Sequence, residues 1–102
     1  MKKTTNLLSI TLLALTLSGC SGSNDFKPAA GMDGLDIYAN ACTSCHGDGG
    51  QGKFGFLLKL AGTDESPKEI TEKIINGGKL MPAFPNINQQ QAEQVADYLK
   101  KQ

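Results

Sequence analysis

Residues 38–47 read Tyr38-Ala39-Asn40-Ala41-Cys42-Thr43-Ser44-Cys45-His46-Gly47, and the rest of the chain is best read outward from them. Two thiols three positions apart stand one helical turn from each other, and the next residue is the only histidine among 102 residues. A thiol redox pair of this spacing belongs in a βαβ setting, and no strand pattern surrounds it. A closed zinc site needs four ligands, and no further Cys or His follows Cys20 outside this motif.

The remaining chemistry is covalent attachment of a c-type haem. Each thiol can add to one vinyl group of the same porphyrin, and the following imidazole then stands over the iron. This assigns Cys42 and Cys45 as the thioether residues of one haem c and His46 as an axial ligand. The second axial ligand has to come from elsewhere in the chain. Met32 lies on the entry segment close to the motif, whereas Met81 sits 35 residues beyond His46 and can reach the opposite haem face. Pro82 biases Met81 toward extended backbone, which can run along a flat ligand. His/Met ligation is the usual pair for such a haem, so Met81 is the expected sixth ligand.

Three helices are legible around this site. The first spans about 34–41, with Asp33 as N-cap and Leu35, Tyr38 and Ala41 on one face. For the second, Ser66 is the N-cap, Pro67 the first helical residue and Glu69 the partner in a capping box; Ile70 and Ile74 share a face, and Gly77-Gly78 ends it. A third begins at Asn88, with Gln91 reaching back to the cap and Ala92, Val95, Ala96 and Leu99 at helical spacing. The glycine-rich stretch 47–65 is long for a loop in so small a domain, and a prosthetic group would give its backbone something to pack against. The domain from Gly31 to Gln102 is short enough to need a staple beyond its own core.

Upstream lies a secretory leader: Lys2 and Lys3, an apolar run from Leu7 to Leu17, and the end Leu17-Ser18-Gly19-Cys20. That run is too short to span a bilayer, which takes roughly twenty residues. Residues 1–19 are read as a removed signal peptide, Cys20 as the lipidated first residue of the mature chain, and 20–30 as a flexible tether reaching ~33 Å. Of three cysteines, one then carries lipid and two carry haem. Without Lys2 and Lys3, eight lysines face ten acidic residues, a formal balance of −2, so no basic stripe invites nucleic acid.

These motifs together resemble bacterial class I cytochromes c in their lipoprotein form, over essentially the whole mature domain. Gly34, Tyr38 and Cys42 look like that family's N-terminal helix, Gly77-Gly78 and Met81-Pro82-Ala83-Phe84 like its methionine loop, and Val95 and Tyr98 like its C-terminal helix. The resemblance implies an all-α fold, a small cytochrome c with about three helices and long loops wrapped around one haem. It implies further that Gly34 lets the terminal helices cross closely, with Tyr38 and Tyr98 at the crossing. One departure concerns the proline whose carbonyl often orients the proximal imidazole: 57–62 reads Leu-Leu-Lys-Leu-Ala-Gly, so another carbonyl has to serve. Phe54, Phe56 and Phe84 are expected to be haem-pocket wall or core; Lys53, Lys59 and Lys79 are expected to be solvated lysines, the alternative being a rim of the exposed haem edge that steers an acidic partner. The expected function is single-electron transfer, Fe(II)/Fe(III), with redox proteins on the extracytoplasmic side of an envelope membrane, not catalysis. The alternative is a small-ligand sensor, or a cytochrome subunit of a larger oxidoreductase, in which Met81 detaches.

Overall fold

The computed structural model describes residues 23–102; the leader and Cys20 lie outside them. Four helices follow in order: α1 (Gly34–Ala41), the single turn α2 (Thr43–His46), α3 (Pro67–Asn76) and α4 (Gln89–Leu99), with a 3-10 turn at Asp48–Gly50. Among the described residues there is no strand; two isolated bridges pair Ser23 with Ala83 and Lys53 with Leu57. The all-α expectation therefore holds, with α2 as the addition. Cys42, at φ −116°, interrupts the chain between α1 and α2, so the haem motif starts a helical turn of its own.

Local capping explains where each long helix starts. Asp33 accepts from the N–H of Asp36 at 2.8 Å. The Ser66 hydroxyl accepts from the Glu69 N–H while Glu69 Oε2 accepts from the Ser66 N–H, at 3.2 and 2.7 Å. Asn88 and Gln91 make the same reciprocal pair at 2.8 and 3.0 Å. Each box satisfies two amides that a helix end leaves without partners, a gain of about 1 kcal/mol for the cap.

Ile70 and Ile74 of α3 face Ala92, Val95, Ala96 and Leu99 of α4, and all are buried. Burial of each large aliphatic side chain contributes roughly 1.5–3 kcal/mol. On α1 the buried stripe is Gly34, Ile37 and Tyr38 rather than Leu35, Tyr38 and Ala41: Leu35 is half exposed and Ile37 wholly enclosed. The reason is the crossing with α4. A Cβ on Gly34 would lie 2.1 Å from the Gln94 carbonyl oxygen, so the two backbones touch there and turn Ile37 inward. Tyr38 and Tyr98 meet beside the crossing, ring centroids 5.2 Å apart and planes tilted by 48°.

The segment expected to hang free as a tether does not do so from Ser23 onward. Asn24 N–H donates to Ala83 O at 2.8 Å, Asn86 Nδ2 donates to Asp25 O at 3.0 Å, Phe26 packs against the core, and Pro28 is buried. An aromatic and a proline give this otherwise polar stretch enough apolar surface to lie down on the domain. Only Ser21 and Gly22 then separate Cys20 from the docked chain.

Candidate functional site

The long loop after His46 is held by its own backbone. Gly52 N–H donates to His46 O at 2.6 Å, and the N–H groups of Leu60 and Ala61 share Gly50 O at 2.7 and 2.9 Å. Side chains would block this fold: a Cβ on Gly47 would meet Gly52 O at 2.3 Å. The loop's return brings the Leu58 carbonyl to 2.7 Å from Nδ1 of His46. Leu58 reaches this position in a left-handed conformation, φ 57°, which costs a non-glycine residue roughly 1–2 kcal/mol. Nδ1 must carry the proton to donate to that carbonyl, which leaves Nε2 as the ring's lone-pair nitrogen. Here is the carbonyl partner that the sequence required without identifying.

Beneath the motif, the Tyr38 hydroxyl donates to Gly47 O at 2.6 Å and pins the end of α2 to α1. Burial, with the neighbouring Cys42 thiol adding to it, pushes the tyrosine hydroxyl up to about 12. Burial also pushes the Cys42 thiol up to about 12. The Cys42 thiol is buried and free.

Across the motif lies the methionine loop. Gly77, at φ 75°, folds the chain back so tightly that a Cβ there would meet Ala83 N at 2.8 Å. Gly78 N–H donates to Met81 O at 3.0 Å and Phe84 N–H to Ile74 O at 2.9 Å, tying the loop to the end of α3. The result is a cavity of about 290 Å³ lined by Cys42, Cys45, His46 and Met81 together with Asn24, Ala41, Ser44, Leu58, Leu80, Pro82 and Phe84. A smaller cavity of about 40 Å³, sharing Cys42, His46 and Met81, runs inward to Val95 and Leu99 between the helices. Two cysteines, an oriented imidazole and a thioether in one largely apolar cleft form a donor set that fits haem c. Met32 lines neither cavity; its sulfur accepts from the Ala29 N–H at 3.3 Å.

Of the three phenylalanines expected to wall the pocket, only Phe84 does. Phe54 and Phe56 are 89% and 75% exposed. Their turn is set by Gly52 and Gly55 at positive φ and by Phe54 itself at φ 54°, which turns both rings outward. Lys53, Lys59 and Lys79 line neither cavity. Leu58 and Leu80 are wall residues that the sequence reading missed; neither carries a signal beyond being apolar.

A family model described as cytochrome c oxidase, cbb3-type, subunit III matches residues 29–99. The chain belongs to this cytochrome c family. Over 66 residues it is 35% identical to cytochrome c-550 of Bacillus subtilis (strain 168), a match covering 65% of this chain and 55% of that protein. The matched stretch thus spans about half the length of that relative. Among solved structures, cytochrome c6 from the diatom Phaeodactylum tricornutum is similar at 27% identity and a TM-score of 0.55, covering 65% of this chain and 85% of that one. A mutant of OmcF is similar at 26% identity and a TM-score of 0.56, covering 69% and 94%. This cytochrome accordingly has the small class I fold, and its cofactor is covalently attached haem c.

Proposed function

We propose that this cytochrome is an exported, lipid-anchored single-electron carrier of an envelope electron-transfer chain. Cys42 and Cys45 would hold the haem, His46 and Met81 would ligate its iron, and Cys20 would bear the lipid. The observation that carries this reading is the single cleft lined by both cysteines, the only histidine and Met81. Bound haem supplies one-electron exchange between Fe(II) and Fe(III). The chain's residues do the rest: Leu58 fixes the tautomer and plane of His46, the apolar walls limit water, and Met81 would supply a thioether to the iron and so leave no position for a substrate. Electron carriage without catalysis follows, with donor and acceptor proteins as partners and the domain on the periplasmic or other extracytoplasmic side. Two acyl chains on Cys20 would make attachment to the membrane stable where one would be marginal.

The description of the matching family favours, as a second reading, a cytochrome subunit of a larger oxidoreductase. Carbon monoxide separates a carrier from a form in which Met81 detaches. The spectrum of the reduced carrier is unchanged by the gas, whereas a spectrum shifted by carbon monoxide supports the second reading. For the anchor, Cys20→Ser is expected to release a haem-loaded soluble protein, and a variant that still pellets with membranes after salt washing would refute lipidation as the attachment.

A further inference from the structure

The methionine loop is gripped from two sides. Its inner side is bonded to α3 through the Phe84 N–H on Ile74 O, and the Gly78 N–H on Met81 O closes the loop on itself. Its outer side meets residues 23–28, which form a strap: Ser23 pairs in parallel with Ala83, and Asn24 N–H donates to Ala83 O at 2.8 Å, two residues after Met81. The strap is itself fastened, because Asn24 Oδ1 accepts from the Phe26 N–H at 2.9 Å, Asn86 Nδ2 holds Asp25 O at 3.0 Å, and Phe26 packs against the core. Asn24 also lines the cavity beside Met81.

We propose that the strap is a positioning element for Met81: it holds the outer edge of the methionine loop closed over the cleft. The part of this that concerns iron rests on Met81 being the sixth ligand; the grip on the loop does not. Backbone pairing is the device, and Asn24 is the positioning residue whose N–H makes it. Without that bond, Ala83 O turns to solvent and the loop keeps only its inner fastenings. Loops with few buried contacts open at low free-energy cost, so one lost fastening should raise the open population directly.

The test uses the full, haem-loaded chain with two substitutions that loosen the strap at different points. Asn24→Pro deletes the donor N–H, and Asn86→Ala deletes the side-chain hold on Asp25. Hydrogen exchange at the Gly78 and Phe84 amides reports loop opening, with the Val95 amide in α4 reporting global unfolding. Binding of imidazole to the oxidised protein, with bleaching of the weak far-red sulfur-to-iron band, reports displacement of Met81. Asn24→Pro is expected to speed loop exchange and imidazole binding about fivefold, as for the loss of one net hydrogen bond, with Asn86→Ala smaller in the same direction and Val95 unmoved. Lys68→Ala, on the exposed face of α3, serves as the unaltered control. Faster exchange with unchanged imidazole binding would keep the strap's grip and refute Met81 as ligand. Wild-type exchange at Gly78 and Phe84 in both strap variants would overturn the proposal.

Discussion

The Leu58 carbonyl oxygen lies 2.7 Å from Nδ1 of His46, twelve residues away along the chain. This contact fixes the plane and tautomer of the imidazole, and a hydrogen-bonded Nδ1–H makes the ring a stronger donor to a metal. The carbonyl is presented by backbone in the left-handed region, where proline cannot go.

Leu58→Pro should therefore move the carbonyl away and weaken donation from His46, which destabilises Fe(III) more than Fe(II). The reduction potential is expected to rise. Leu58→Gly accepts the same φ and keeps the carbonyl, so its potential should stay at the wild-type value. Redox titration of the three proteins checks this, and equal potentials for wild type and Leu58→Pro would show that the contact does not tune the haem.

Tyr38 gives the stability a dependence on alkaline pH. Its hydroxyl titrates near 10 when unfolded, and in the fold burial, with the neighbouring Cys42 thiol adding to it, pushes it up to about 12. A folded value raised above the unfolded one means that the folded chain binds more protons between the two. Its contribution is complete below pH 10 and is lost as pH rises toward 12, by about 3 kcal/mol at most. Tyr38→Phe should cost about 1 kcal/mol at pH 7 for the lost hydrogen bond, yet lose less further stability between pH 9 and 11 than wild type. Urea unfolding at those pH values measures both effects.

Cys42→Ser combined with Cys45→Ser removes covalent attachment, and the small core should not hold its fold alone. The double variant is expected to lack a Soret band and to show weak helical circular dichroism without a cooperative thermal transition. A haem-free but cooperatively folded variant would refute the staple argument.

Sequence reading located α1, α3 and α4 because side chains mark those starts: Asp33, Ser66 with Glu69, and Asn88 with Gln91 each hydrogen-bond the backbone they precede. The cysteine motif was equally plain, since its spacing is set by the chemistry it performs. What was missed is carried by main chain. Any residue can offer the carbonyl that Leu58 offers, and any residue but proline can offer the N–H that Asn24 donates to Ala83, so composition holds no trace of either. Phe26 was a usable signal, an aromatic in a polar stretch that had somewhere to pack. For Phe54 and Phe56 the apolar character pointed inward, but the turn between Gly52 and Gly55 overrode it.

Ligation of iron by His46 and Met81 is the central claim, and Met81 is its most exposed part. Met81→Ala should keep the haem, because Cys42 and Cys45 are untouched, while opening the sixth position to water. Loss of a soft thioether that favours Fe(II) should lower the potential by an appreciable part of the ~0.8 V that axial ligands span. The far-red sulfur-to-iron band of the oxidised protein should vanish with it. Met32→Ala, whose sulfur contacts only the Ala29 N–H among its hydrogen-bond partners, should change neither. The decisive measurement is the potential and far-red spectrum of these two variants beside wild type: both readouts lost only in Met81→Ala is the predicted result, and retention there with loss in Met32→Ala would contradict the account.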